Sequence, residues 1–362
     1  MKKTFIALSL LFASFLFFAS AAAEATVSPE YRELDYTLNV GGETYHGTAF
    51  APASIPAEMS ALKAEGYVGT REDAVGILQL LDRKTDDIQE LSIRKEYTYH
   101  YRTDEDEISF LPSGMRYCAS RMDRYDQTVT SWASFVDQDR YTSVDIGYNM
   151  AWEEIPSIQN TAFIDRIREV YDVLTLWGIE TGPIEVLVYW DAQTLSKNRE
   201  WLVELHGGER YAFQDEDAII ELHIPTYVDG VRLKSETVAT RDDMLSDERT
   251  YVSAYMTEES VIYIQTNCSL FEAYQIDTTG TVLTAEEALE RYETYLNQML
   301  VLPEGTTNIV GVQLEYDVWC RLQAGVFSPT YHFTPVWSIY TDTSYPCVSV
   351  MFNAFDGSEV IW

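Results

Sequence analysis

The chain has 362 residues, 46% of them apolar, and carries 58 Asp and Glu against 25 Lys and Arg, a formal net charge of −33. A balance this acidic repels nucleic-acid phosphates and anionic lipid heads, so nucleic-acid binding is set aside as a role. The length suffices for two or three domains with sizeable cores, and with no Gly/Ser- or Pro-rich linker in the sequence, their boundaries must come from changes of pattern.

The first residues, MKKTFIALSLLFASFLFFASAAAEA, place two lysines before an apolar run from Phe5 to Ala19 and then Ala21-Ala22-Ala23. That is the order of a secretory signal peptide, with cleavage expected between Ala23 and Glu24 and residues 1–23 removed. A secreted, extracytoplasmic protein is the expectation. An uncleaved signal anchor in the membrane is the alternative, because the run approaches the roughly 18 to 20 residues that span a bilayer. Cleavage leaves 23 basic against 58 acidic side chains, a net charge of −35. Cys118, Cys268, Cys320 and Cys347 follow; in an exported chain an even count permits two disulfides in any of three pairings, and these spacings fit no zinc site.

An N-terminal α+β domain is expected over residues 24–155. It opens with a hairpin, Leu34 to Leu38 and Thr44 to Thr48, around Gly41-Gly42. Thr70-Arg71-Glu72-Asp73 has the form of a capping box, and Ala74, Ile77, Leu78 and Leu81 make one apolar stripe, so a helix starts there. Arg94 to Arg102, RKEYTYHYR, reads as a polar strand.

A central α+β domain is expected over residues 156–282. Its helix from Thr161 repeats Phe163, Ile167, Val170, Tyr171, Leu174 and Trp177 at spacings of three and four and stops at Gly178. A strand from Glu185 to Trp190, a second helix around Thr194 to Leu205, strands at Ala218 to Val228 and Val231 to Val238 joined at Asp229-Gly230, and strands at Tyr251 to Met256 and Val261 to Thr266 complete it.

A C-terminal module is expected over residues 283–362. Thr284-Ala285-Glu286-Glu287 caps a helix with the stripe Ala288, Leu289, Tyr292, Leu296 and Met299. Three strands alternate after it: Val310 to Val318 with the even residues apolar, Tyr331 to Ile339 with the odd ones apolar, and Val348 to Ala354; Asp356-Gly357 turns into a closing strand, Glu359 to Trp362. The second strand contains Pro335, which lacks an N–H and so predicts an edge strand or a bulge. By parity Cys320 and Cys347 face opposite sides of the sheet, against a bridge between them. The fold class is therefore α+β throughout: antiparallel sheets packed by amphipathic helices, several domains, and a C-terminal helix-plus-meander.

A Thr-x-Glu-Glu-Ala helix, an alternating strand, a TPVW strand and FNAFDGSEV, in that order, resemble the PepSY-type module. They are also similar to the C-terminal portions of YycH/YycI-like extracytoplasmic regulators and of uncharacterised secreted proteins of Gram-positive bacteria. The residues that carry the resemblance are Pro335, Val336, Trp337, Asn353, Ala354, Asp356 and Gly357, and it spans Leu283 to Trp362. It implies a structural role for those residues and a non-catalytic protein outside the membrane, a peptidase propeptide or inhibitor or a sensor-regulator. Such regulators are normally membrane-anchored.

Motifs for chemistry come out negative in the sequence: H-E-x-x-H, G-x-S-x-G and a Gly-rich phosphate loop are missing. Two S-x-x-K matches, Ser60 to Lys63 and Ser92 to Lys95, lack the S-D-N and K-T-G companions that would give them a nucleophile's role. His46, His100, His206, His223 and His332 are scattered, and His100 and His332 read as cross-strand contacts. The acidic runs Asp104 to Glu107 and Asp215 to Asp217 read as solvated loops rather than calcium sites. No cofactor is expected. The aromatic excess, 25 Tyr, 15 Phe and 8 Trp, fits half-buried antiparallel strands. The expected function is a non-enzymatic one, binding a protein or peptide partner; the alternative is a cell-wall glycan binder using Tyr97, Tyr99 and Tyr101, and an unrecognised hydrolase comes third.

Overall fold

The computed structural model describes residues 30–67, 69–94, 98–111, 114–125, 142–145, 161–184, 186–206, 212–234, 251–266, 271, 274–302, 304–320, 330–341 and 349–360. The predicted signal peptide lies outside the described residues. The chain begins with β1 (Tyr31–Val40), β2 (Glu43–Pro52), β3 (Glu58–Glu65) and α1 (Arg71–Leu80). Four strands follow, β4 (Gln89–Arg94), β5 (Thr98–Arg102), β6 (Asp106–Leu111) and β7 (Gly114–Ala119), then β8 (Thr142–Asp145) and α2 (Thr161–Leu176). Next come β9 (Glu180–Thr181), β10 (Val186–Trp190), α3 (Ala192–His206), β11 (Ile219–Val228), β12 (Val231–Leu233), β13 (Tyr251–Met256) and β14 (Val261–Thr266). The last elements are β15 (Gln275–Thr281), α4 (Ala285–Gln298), β16 (Ile309–Cys320), β17 (Thr330–Thr341) and β18 (Ser349–Asn353). The protein is α+β.

The helices start where the capping boxes place them. Thr70 Oγ1 accepts from Asp73 N at 3.3 Å while Thr70 N donates to Asp73 Oδ2 at 2.7 Å; Thr284 and Glu287 do the same at 3.1 and 2.7 Å. Each exchange satisfies two backbone donors that a helix start leaves open. The hairpin between β1 and β2 turns on Gly41 and Gly42, at φ of +61° and +87°, which a residue with a Cβ adopts only with strain.

Two sheets result. The first is antiparallel throughout, in the order β4-β5-β6-β7-β14-β13-β11-β10-β8. Helices α1 and α2 pack on each other, with α2 against β13 and β14. Ala74, Ile77 and Leu78 of α1 and Phe163, Ile167, Val170 and Leu174 of α2 are buried in this core with Tyr117, Leu222 and Ile264.

The second sheet joins the two ends of the chain. β16 and β17 pair along their length, β18 lies on β17, and the helix stripe Ala288, Leu289, Tyr292 and Leu296 covers one face. β1, β2 and β3 complete it: β3 pairs with β17 on one side and β15 on the other, and β2 touches β16 at Gly311. Leu34, Leu38, Val40 and Leu62 are buried in the same core as Trp337 and Phe333. The Tyr36 hydroxyl donates to Thr307 O at 3.1 Å and accepts from Ile309 N at 2.9 Å, fixing β1 to the start of β16. The chain leaves this sheet after β3 and returns in β15, antiparallel neighbours, with Lys63 opposite Gln275 and Glu58 opposite Thr281.

β11 belongs to both sheets. Ile220 to Pro225 pair with β13 in the first; Thr226 and Tyr227 pair with β9, and Tyr227 and Val228 with β12, in the second. β12 in turn lies parallel to β16, Arg232 opposite Glu315 and Leu233 opposite Tyr316.

Three expectations change. Arg94 to Arg102 is not one strand: Arg94 ends β4 and pairs with Thr98 of β5, and residues 95–97 lie outside the described residues. β17 is not an edge strand. It has β16 on one side, and on the other β3 as far as Phe333 and β18 from Val336, so Pro335 stands where the partner changes and no ladder bond needs its N–H. Finally, the odd face of β16 is not solvated, since Gln313, Glu315 and Asp317 are 5%, 0% and 0% exposed.

Because β1 to β3 supply nine of the 28 described buried residues of the second core, residues 283–362 expressed alone are expected to show no cooperative thermal transition by circular dichroism, and addition of a 30–66 fragment to restore one.

Candidate functional site

Six of the seven residues that carry the C-terminal motif, all but Val336, form one knot. The Pro335 carbonyl accepts from Ala354 N at 2.9 Å, and the Ala354 carbonyl accepts from Leu283 N at 2.8 Å. Trp337, fully buried, donates its Nε1 to Leu283 O at 3.0 Å. Asn353 Oδ1 accepts from Phe355 N at 2.9 Å, and the Asn353 carbonyl accepts from Gly357 N at 2.9 Å. Asp356 Oδ1 takes both the N–H and the hydroxyl of Ser358, at 2.8 and 2.7 Å. The hydroxyl first, then the backbone donor, hold this carboxyl below its ordinary pKa. Gly357 sits at φ +70°, and a Cβ there would stand 2.6 Å from Arg291 Nε of α4. The turn therefore closes β18 onto β17 and the helix; Glu359 pairs back with Phe352. These contacts all lie within the C-terminal module.

The face of the first sheet opposite α2 is a polar ladder. Register places Arg102, Glu107, Cys118, Tyr263, Tyr255, Glu221 and Val188 in one row across seven strands, and His100, Ser109, Arg116, Gln265, Ser253, His223 and Val186 in the next. The opposite parity of the same strands holds Tyr101, Ile108, Tyr117, Ile264, Ala254 and Leu222 in the core. Glu221 is the hub. Its Oε1 accepts from the Tyr255 hydroxyl at 2.9 Å and lies 3.0 Å from His223 Nε2, and its Oε2 accepts from Trp190 Nε1 at 3.1 Å. Burial alone would raise this carboxyl; the His223, Tyr255 and Trp190 contacts outweigh it and hold the group below the ordinary value. From there Tyr255 meets Tyr263 edge-on at 5.5 Å, Tyr263 donates to Gln265, and Arg116 lies over the Tyr263 ring at 5.6 Å. Cys118 is a free thiol, pushed up in pKa by burial with Arg116 opposing, so at most one disulfide is left among the other three cysteines. Cys268 and Cys347 lie outside the described residues.

The second sheet has its own buried polar set. Arg232 donates to Gln313 Oε1 at 3.2 Å and lies 3.8 Å from Glu315, whose other oxygen accepts from the Tyr340 hydroxyl at 2.8 Å. Lys234 reaches Met351 Sδ at 2.9 Å. Arg232 comes from β12 and Lys234 directly follows it, so the cation beside Glu315 is supplied from some 80 positions earlier in the chain.

The other sequence candidates have structural partners. Ser60 bonds Thr279 at 3.0 Å and Lys63 pairs with Asp277 at 3.6 Å, so this S-x-x-K is not a dyad; Lys95 lies outside the described residues. His332 stacks on Trp319 across the strands at 4.2 Å, and His100 bonds Ser109 at 2.8 Å. Tyr101 is 4% exposed and packs edge-on against Phe110 at 6.0 Å; Tyr97 lies outside the described residues. Asp106 is buried, not a loop carboxylate: burial raises its pKa, opposed by the Tyr117 hydroxyl at 2.8 Å and by Arg83 at 3.7 Å. Asp217 pairs with Arg124 at 2.7 Å, beside a surface cleft of about 430 Å³ that Arg121 and Glu259 also line. Among the described residues no group of His, Cys, Asp and Glu could hold a metal ion. No helix among them is long and apolar enough to cross a membrane. Sequence reasoning missed Glu221 and Arg232, whose only signal is a charged residue at a strand position flanked by apolar ones.

No family model matches the chain, and no curated protein is similar to it in sequence. Among solved structures, an uncharacterized protein from Eubacterium rectale ATCC 33656 is similar over 96% of this chain and 99% of that one, with a TM-score of 0.56 and 11% identity, a likeness of fold. The Bacillus megaterium YpeB C-terminal domain aligns over 81% of this chain and 96% of that one, with a TM-score of 0.35 and 12% identity.

Replacing Trp337 with Ala removes the largest side chain of the knot and its hydrogen bond; a loss of about 3–5 kcal/mol in denaturant unfolding is expected. For Glu221, whose folded pKa is depressed, the stabilisation is present above the ordinary carboxylate value and is lost as pH falls through the lower folded one. Glu221→Gln is expected to flatten the acid limb of a plot of melting temperature against pH, relative to the unsubstituted protein.

Proposed function

We propose that the protein is exported, with cleavage between Ala23 and Glu24, and acts outside the cytoplasm as a non-catalytic binder of a protein or peptide partner, its last 80 residues forming a PepSY-like module. The observation that supports this best is the polar ladder centred on Glu221. A general acid for glycoside cleavage needs a raised carboxyl pKa, and a nucleophilic cysteine a lowered one; Glu221 is held low and saturated by three neighbours, and the Cys118 thiol is pushed up. Side chains linked to one another across five strands, from Trp190 through Glu221, Tyr255 and Tyr263 to Arg116, suit recognition, which gains from groups ordered before the partner arrives. Burial of Tyr101 weighs against the glycan reading, which needs exposed rings.

The test is a pull-down from culture supernatant and wall fraction with the mature protein. A stoichiometric protein partner, lost on replacing Arg116 and His223 with Ala, is the expected result. Retention on purified wall glycan instead, or turnover on a peptide and glycoside panel abolished by one substitution, would overturn the reading.

A further inference from the structure

We infer that the outer edge of β15 is a strand-addition site for an extended, positively charged segment of a protein partner; the inference rests on the binding function proposed above. Among the described residues β15 pairs only with β3, and every residue of it but the half-buried Gly280 is exposed. Ile276 is 68% exposed, and Tyr274, just before the strand, is 40% exposed.

Other margins of the second sheet are partly covered. At the end of β1, Asn39 N donates to Glu293 at 2.7 Å, Gly41 N to Asn297 at 3.1 Å, and Asn297 returns a bond to Asn39 O at 2.8 Å, so side chains of α4 occupy the Asn39–Gly41 end of that edge. Beside β18 the chain folds back, with Asn353 N donating to Ser358 O and Val360 N to Met351 O. β15 has no such cover among the described residues. It also lacks the lysines and prolines that usually blunt an edge. Its bulge, between Ile276 and Thr278, disturbs only the first part, and Thr278 to Thr281 run in regular register with Ala61 to Glu58.

That stretch is held in place before any partner arrives. Ser60 bonds Thr279 at 3.0 Å and takes the Tyr316 hydroxyl on its carbonyl at 2.9 Å, while the Phe355 ring fills the space beside Gly280. Its backbone groups offer affinity, and exposed Ile276 offers an apolar contact.

Charge selects the occupant. Near the edge, Lys63 is matched by Asp277, leaving Glu58 opposite Thr281 and exposed Glu65 beyond the other end of the strand. A second copy of the cleaved chain would bring −35 against −35, whereas a segment bearing Lys or Arg meets complementary charge locally and is steered by the whole molecule.

The probe is a fluorescein-labelled Lys-Val-Lys-Val-Lys-Val-Lys peptide, followed by anisotropy. The double substitution Ile276→Lys with Thr279→Lys, at exposed side chains, and N-methylation of alternate residues of the peptide should each weaken binding at least about tenfold, because backbone hydrogen bonds supply the affinity. Leu300→Lys with Val301→Lys, equally exposed and adding the same charge elsewhere, should have a much smaller effect. Equal binding of the methylated peptide, or equal loss in the two lysine variants, would show general electrostatics and overturn the inference. So would a dimer in sedimentation that the β15 substitutions dissolve. A natural partner that the β15 variant still captures would end this site assignment while leaving the proposed function standing.

Discussion

The arrangement depends on β11 serving two sheets. A strand that changes partners part-way must do so without stranding a backbone donor, since a buried unpaired N–H costs about 1–3 kcal/mol. Pro225, the last residue paired with β13 before β9 takes over, has no N–H to strand, and its carbonyl accepts from Gly182 N at 3.0 Å. β17 solves the same problem in the same way at Pro335, whose carbonyl accepts from Ala354 N as the neighbour changes from β3 to β18. In a central strand proline is ordinarily disruptive. Here it marks the two places where one strand edge is divided between neighbours.

Charge placement is the second constraint. With 25 basic residues against 58 acidic ones, few cations are at hand to compensate a buried acid. Arg83 serves Asp106 and Arg232 serves Glu315, while Glu221 relies on neutral donors and His223 instead. Arg83 also donates to Val261 O at 3.0 Å, tying the loop after α1 to the start of β14. These cations therefore tie elements together as well as neutralising acids, and removing one leaves a buried carboxylate uncompensated at a cost of about 3–5 kcal/mol.

Local pattern carried much of this into the sequence. All four helices, the Gly41-Gly42 and Asp229-Gly230 turns, and the alternation of β16 and β17 are readable because a helix or hairpin needs only neighbours a few residues away. What pattern does not carry is pairing across the chain. β15 reads as nothing in particular, since both its faces are exposed and no alternation marks it. Polar residues on the odd face of β16 look solvent-facing until Arg232 arrives from β12 to meet Gln313 and Glu315. The Glu221 hub is illegible for the same reason: Trp190 and Tyr255 are 31 and 34 positions away.

The same distinction explains the architecture. Tyr36 meets the backbone of Thr307 across 271 positions, a separation that makes closure of the second sheet entropically expensive from an open chain. The first sheet and its helices, built from residues between β3 and β15, remove most of that expense. Their ends lie side by side, because β3 and β15 are antiparallel neighbours, so once this insertion is folded the second sheet has little loop left to close. β12 then acts as a strap from the inserted unit to β16 through two parallel residue pairs, with the Arg232–Glu315 contact beneath it. A short parallel pairing is weak by itself. Its placement over a buried ion pair is what makes the strap specific, since any other register would leave Glu315 without its cation.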